Sequence, residues 1–354
     1  MIVTIVSDAQ FNPWKEFSRI LPNGRNSRFQ DQLNCLDETF EFSKKSGSML
    51  YVHCGDLFES LTDKIDKAIF LDVYNKFSEF SKSEIVIVLL VGNHDWLDRT
   101  ETKHILEPFK EIENTIVVDK PRIENIDSVS LSFIPFTRVD FRGKVESVIP
   151  KGRRAIRTDD RALKYLFTHQ GVHGAAVGPR DLILREEYTM EDFRPDSFDM
   201  IFNGHYHKHQ KLSQKFFIVG SYIQRDFGER NDVKGFISLN SESKSLSFIP
   251  TNGPRFFKVS VSSPKTFVRP EGLREQDFLW IVAADESVDV SSITRDIGNV
   301  RVDIEERTET RVRSDLSISM PVEEQLAKYI AIKNPKLDHK KLLEMGVDKW
   351  KRSL

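Results

Sequence analysis

Side chains that bind metals or carry protons collect at the ends of five apolar runs. Asp8 and Gln10 close the first, in "SDAQ", and Asp56 closes the second, in "GDLFE". Asn93, His94 and Asp95 close the third, in "GNHD". His169 ends the fourth, in "FTHQG", and His205 and His207 end the fifth, in "NGHYHKHQ". Oxygen and imidazole donors without cysteine suit manganese, iron, zinc or magnesium. In an extended H-x-H segment both imidazoles point to one face. They can then serve two adjacent ions, and one carboxylate, Asp56, can bridge both. Two cations about 3.5–4 Å apart polarise a phosphoryl group and activate water between them. Glycines before Asp56, Asn93 and His205 let the backbone turn tightly beside such ions. A single "GD" is common and means little, and a lone His169 reads as a core histidine. All five ends together read as a metal centre.

These residues need a sheet to hold them. The runs at 2–8, 48–56, 84–95, 130–136, 164–171 and 198–207 are short, apolar and rich in β-branched side chains. Such runs suit strands buried on both faces of an α/β sheet. Between them, residues 27–47 place Phe29, Leu33, Leu36 and Phe40 near one helix face and stop at a glycine. Residues 64–82 place Ile65, Ile69, Val73 and Phe77 at helical spacing. Strand, helix, strand is the rhythm of an α/β domain, and open sheets of that kind bind ligands beyond the carboxyl ends of their strands.

The rhythm lasts to about residue 250, which sets a first domain at 1–252. A hinge follows, then strands in "FFKVSV", "DFLWIVAAD" and "VRVDIEE", with a short serine-capped helix in "SSITRDIGN". That is a small α+β domain over 253–315. Residues 321–354 read as two amphipathic helices broken near Asn334-Pro335. Val322, Leu326, Tyr329 and Ile330 share one face of the first; Leu342, Leu343 and Val347 share one face of the second.

Composition narrows the setting. A net charge of −2 gives no global attraction to nucleic acid, so any basic surface is local or supplied by bound cations. The two cysteines, Cys35 and Cys54, make no disulfide framework and no zinc ribbon. The N-terminus reads as a strand rather than a signal peptide, and the longest apolar run, 85–92, is too short to span a membrane. The expectation is a cytoplasmic protein, in the host cytoplasm if the gene is viral, with no membrane partner.

The ordered set D-x-Q, GD, GNHD, H and GHYH resembles the calcineurin-like metallophosphoesterases. "GSYIQRDFGERNDVKGF" at 220–236, "GDLFE" with Glu59, and "NSRFQDQLNCLDETF" are similar to SbcD-type DNA repair exonuclease subunits of phages and bacteria. The likeness covers about residues 1–250. It implies a two-sheet sandwich flanked by helices, with the small capping domain and helical pair appended. It implies one ion on Asp8, Gln10, Asp56 and His207 and a second on Asp56, Asn93, His169 and His205, most simply both Mn2+. It implies that His94 stands over the scissile phosphate and that Asp95 orients His94. One departure stands out: Gln10 replaces the usual histidine of D-x-H, and an amide oxygen ligates more weakly than imidazole.

The resemblance also implies a substrate and partners. The expected activity is exonucleolytic and endonucleolytic cleavage of DNA. Glu59, His173, His209 and Arg225 are candidate substrate contacts, and basic residues cluster at 151–157 and 224–230. His104 reads as a surface residue. The helical pair is expected to dock on an SbcC-type ATPase, and the nuclease domain to form a homodimer. Two other readings stay open: a phosphodiesterase or nucleotide pyrophosphatase on the same fold, and a scaffold that kept the fold but lost full metal binding.

Overall fold

The computed structural model describes residues 1–59, 65–126, 129–150, 163–178, 181–183, 188–295, 297–305, 320–333 and 338–351. They form two compact units, Met1–Asp303 and Ile304–Leu354. The basic stretch at 151–157 lies outside the described residues.

The first unit opens with the alternation β1 (Ile2–Val6), α1 (Ser27–Ser46), β2 (Leu50–His53), α2 (Lys67–Ser81), β3 (Val86–Leu90) and then β4 (Thr115–Val118). Asn26 starts α1 by accepting the backbone N–H groups of Arg28 and Phe29, and Gly47, at φ 69°, ends it. Asp66 caps α2 in the same way. β5 (Arg122–Ile126), β6 (Val129–Ile134), α3 (Phe141–Ser147) and β7 (Leu163–Thr168) follow. A short ribbon of β8 (Ala176–Val177) and β9 (Leu182–Ile183) leads to β10 (Met200–Asn203), β11 (Gln210–Lys211) and β12 (Phe216–Ile218). β13 (Gly235–Asn240) and β14 (Ser245–Pro250) then return to the first sheet.

Two six-stranded sheets result, ordered β14-β13-β1-β2-β3-β4 and β11-β12-β10-β7-β6-β5. Each has a parallel centre: β1 to β4 in one, and β6, β7, β10 and β12 in the other. Val3, Ile5, Val52 and Leu90 of the first sheet meet Leu131, Phe133, Phe167 and Phe202 of the second in one buried layer. Leu33, Leu36, Phe40, Phe77 and Phe80 cover the outside of the first sheet. Phe141 and Val145 help cover the outside of the second. This is the expected two-sheet sandwich flanked by helices. Because both central sets are parallel, the loops that follow β1, β2 and β3, and those that follow β7 and β10, leave at carboxyl edges, where ligand residues can meet.

A third sheet, β15 (Phe256–Val261), β16 (Phe278–Ala283) and β17 (Val300–Ile304), accompanies the sandwich. Between its last two strands lies the one-turn α4 (Ser291–Thr294). No serine side chain caps α4; the Asp289 carboxylate accepts the Ser291 backbone N–H at 3.1 Å instead. The short stretch offered several small polar residues, and the one before the turn took the task.

Arg28 ties this sheet to the sandwich. Its side chain is buried, 2% of the residue being exposed. The guanidinium lies 4.9 Å from the Trp14 ring, 5.0 Å from Phe256 and 4.7 Å from Phe278. It donates to the carbonyls of Glu16 at 3.0 Å and Arg225 at 2.7 Å. Burial pushes its pKa down to about 10, so it stays charged at neutral pH. The second unit holds α5 (Val322–Lys333) and α6 (His339–Lys351), with Leu326 packed over Gly346. Among the described residues no helix is long and apolar enough to cross a membrane.

Arg28→Ala removes the cation from three rings and takes the donor from the part-buried carbonyls of Glu16 and Arg225. The expected loss is about 2–4 kcal/mol, read as a lower urea midpoint for the unfolding of residues 1–303.

Candidate metal centre

Asp8 lies just past β1 and Asp56 just past its neighbour β2; both are buried. Neither oxygen of the Asp8 carboxylate has a hydrogen-bond partner. Burial raises its pKa, against the attraction of His169 and His207. Asp56 is better satisfied: its Oδ1 accepts the His94 backbone N–H at 2.8 Å, and its Oδ2 accepts Gln10 Nε2 at 3.2 Å. Burial opposes its charge too, but His169 and His94 outweigh it and hold the carboxyl below the ordinary range. Asp8, Asp56 and His169 each offer an atom within 4.8 Å of the others. A buried carboxylate with two unpartnered oxygens, beside a second carboxylate, fits a divalent cation.

The histidines arrive from the second sheet. His169 follows β7 and His205 follows β10, strands in parallel register. His169 Nδ1 donates to the Cys54 carbonyl at 2.6 Å, which turns Nε2 toward Asn93 Oδ1, 3.1 Å away, and Asp56 Oδ2, 3.3 Å away. Burial disfavours its charge, yet Asp56 and Asp8 hold its pKa up to about 9, so a metal at this position displaces a proton. His205 Nδ1 lies 2.9 Å from the same Asn93 oxygen. Burial, aided by the His169 charge, pushes His205 down to about 3, leaving a neutral imidazole fit to ligate. His207 turns Nδ1 to Glu229 Oε1 at 2.9 Å and brings Nε2 to 3.9 Å from Asp8 Oδ1.

The backbone is bent to reach this arrangement. Asp8, Gln10, Asp56 and His205 all have positive φ, at 54°, 44°, 56° and 80°. Such angles are uncommon away from glycine and gather at functional sites. Gly92 is needed for closeness rather than for its φ: a Cβ there would sit 2.1 Å from Asp56 Oδ1 and 2.2 Å from Asp56 N.

Asp8, Asp56, Asn93, His169, His205 and His207 therefore share one site. His94 stands beside it, with Nε2 3.8 Å from Asp56 Oδ2. The structure corrects the role read for Asp95. Its carboxylate accepts the backbone N–H groups of Gly92 at 2.8 Å, Phe58 at 3.1 Å and Leu57 at 3.3 Å, so it clamps two ligand loops together. Burial and the Asp56 charge nevertheless raise its pKa to about 7. The carboxylate on His94 is Glu59, 2.7 Å from Nδ1. Burial works against a charged His94; the Glu59 bond and the Asp56 charge prevail and raise its pKa.

Gln10 and Arg225 both reach the site: the Arg225 guanidinium donates to Gln10 Oε1. His209 does not join the ligand set. Its ring stacks on Phe248 at 4.1 Å, and its Nδ1 lies 3.1 Å from the Val219 carbonyl. His173 is exposed, with its backbone N–H on the Tyr188 carbonyl at 2.7 Å. The residue that sequence reasoning missed is Glu229. It is buried and lies 3.1 Å from Lys234 Nζ as well as beside His207. Burial opposes its charge, but Lys234 and His207 hold it well below the carboxylate range. The only sequence signal was its place in the basic "QRDFGER" segment.

The family model for calcineurin-like phosphoesterases matches residues 1–209, and the chain belongs to that family. The 244L protein of Invertebrate iridescent virus 6, named as a phosphoesterase, is 28% identical over 52% of this chain and 59% of its own length. Exonuclease subunit 1 of Enterobacteria phage T4 is 24% identical over 62% of this chain and 61% of its own length. The match thus spans about three fifths of either relative. A solved archaeal phosphodiesterase covers 71% of this chain and 99% of its own at 14% identity, with a TM-score of 0.36.

Two outcomes are expected. Asp8→Asn removes a buried charge whose oxygens lack hydrogen bonds, so it raises the melting temperature in chelator but loses most of the rise produced by manganese, which is about 2.7 kcal/mol at a hundredfold excess over Kd. Thermal unfolding with and without metal checks both halves. Glu229→Gln weakens the ion beside His207 by about 10–100-fold, measured by calorimetric titration with Mn2+.

Proposed function

We propose that the chain is the metal-dependent nuclease subunit of a DNA-processing complex of the SbcD type. The observation that carries this reading is the joint site, with His94 held by Glu59 at its rim. The similarity to exonuclease subunit 1 of phage T4 supports a polynucleotide over a small substrate, and DNA is the polynucleotide proposed.

Asp8, Asp56 and His207 would hold one divalent ion and Asp56, Asn93, His169 and His205 another, with Mn2+ the ion proposed. When bound, the pair supplies Lewis acidity to the phosphate and an activated water. The chain's own groups do the rest. Glu59 fixes the His94 ring and favours its protonated form, so His94 Nε2 can give a proton to the departing sugar oxygen. The Cys54 carbonyl and Glu229 fix the tautomers of His169 and His207. Beside the ligands a cleft of about 350 Å³ is lined by His205, His207, Lys208 and Arg225 and also by Asp226, Glu229 and Asp232, so the positive charge that would draw a phosphate there would come mainly from the bound ions.

A helical pair such as α5 and α6 suits docking on an SbcC-type ATPase, and a homodimer through the nuclease domain completes the expected assembly. The reducing interior of a cell fits Cys35 and Cys54, both buried and free.

End-labelled linear duplex DNA tests the function. Cleavage is expected with manganese and not with chelator. His94→Ala should lower the rate by about 10²–10⁴-fold while the metal content stays the same. Hydrolysis of small phosphodiesters with intact DNA would contradict the nuclease reading and favour the phosphodiesterase one.

A further inference from the structure

Gln10 occupies the place of a ligand, and its contacts say what it does there. Its Nε2 donates to Asp56 Oδ2 at 3.2 Å, and its Oε1 accepts from Arg225 Nη1. Each end of the amide faces a partner of the matching kind. Turning the amide over would set Oε1 against a carboxylate oxygen and Nε2 against a guanidinium, two repulsive contacts for two attractive ones. The oxygen is the atom that could ligate, and it is committed to Arg225.

Neither partner is free to swing away. The Gln10 backbone N–H donates to the Asp56 carbonyl at 3.0 Å, and its own carbonyl accepts Gln32 Nε2 at 3.1 Å. Arg225 is held on three sides: Nε lies 3.3 Å from Glu229 Oε1, Nη1 lies 3.8 Å from Glu59 Oε2, and its carbonyl accepts from buried Arg28. Glu229 in turn accepts the Arg225 backbone N–H at 3.0 Å. The same two carboxylates hold His207 and His94. Arg225 therefore joins the supports of both histidines through one guanidinium.

We infer that Gln10 is a positioning residue and not a metal ligand: Arg225 locks its amide so that it orients the bridging Asp56, leaving the first ion with Asp8, Asp56 and His207 as protein ligands. The inference rests on the two-ion reading of the site but not on DNA as substrate. An ion with three protein ligands beside a fixed cation binds more weakly than its neighbour, which has four. The first position then fills and empties with the free concentration of the metal.

A crystal structure of the wild-type chain with Mn2+, with anomalous scattering at the manganese edge, tests this directly. Two peaks are expected, with Gln10 Oε1 still on Arg225. Gln10 Oε1 inside the coordination shell would overturn the inference while leaving the two-ion reading intact; no peaks at all would overturn both. Calorimetric titration gives a second readout. Wild type should bind one Mn2+ at least about tenfold more weakly than the other, and Gln10→His should tighten the weaker one by about 10–100-fold. Two equal affinities in wild type, or a weaker first site in Gln10→His, would contradict it.

Discussion

Two carboxylates forced together out of water are the constraint on which the rest of this structure depends. β1 and β2 are adjacent and parallel, so the residues beyond their ends, Asp8 and Asp56, arrive side by side. Both are buried, and Asp8 has no hydrogen-bond donor on either oxygen. In a metal-free chain the Asp8 carboxylate costs stability, because burial strips it of water and the Asp56 charge adds to the penalty, with only the histidines in partial compensation. Evolution of a fold for its own stability would not retain it. A cation turns the same geometry into a net gain, and the positive φ angles at Asp8 and Asp56 mark where the backbone is bent to keep it.

Around that pair the chain builds outward in shells of decreasing sequence locality. The second sheet brings His169 and His205 from neighbouring parallel strands. The loops after β2 and β3 are clamped by Asp95, which gathers three backbone N–H groups from both. Farther out, Glu59, Glu229 and Arg225 fix the imidazoles and Gln10, and Arg28 connects that set to the small third sheet. Phe256 and Phe278 of that sheet pack on the Arg28 guanidinium, whose next contact is the Arg225 carbonyl. The appended sheet and the metal site are thus linked through two arginines.

The residues that gather at the site were legible in the sequence, since each is a donor type placed just after a buried apolar run, and both the type and the run are local. Helices α1 and α2 were legible from the helical spacing of their apolar residues, with a glycine stop for α1, whereas the Asp66 cap of α2 emerged only in the structure. What was not legible depends on contacts between distant segments. Asp95 sits next to His94 in the chain, yet the side chain turns away, and Glu59 arrives from another loop. Glu229 meets His207 across 22 residues, in a segment whose arginines hid it. His104 carries a polar side chain in a polar stretch but is only 5% exposed, pressed edge-on to Trp96. His209 continues the H-x-H alternation, but the strand geometry gives it Phe248 as a neighbour in place of an ion. The strands β5 and β14 went unread because polar residues alternate along their partly exposed faces.

The central claim is that the Asp8–Asp56 pair exists to hold metal, with Asp56 shared between two ions. Its most direct test is the metal content of the purified chain after equilibration with manganese and removal of the excess, by mass spectrometry, for wild type and Asp56→Ala. The account predicts about two ions per wild-type chain and loss of both in the variant, with its secondary structure unchanged by circular dichroism. Equal metal content in the two folded proteins would contradict it, because the buried pair would then need another explanation.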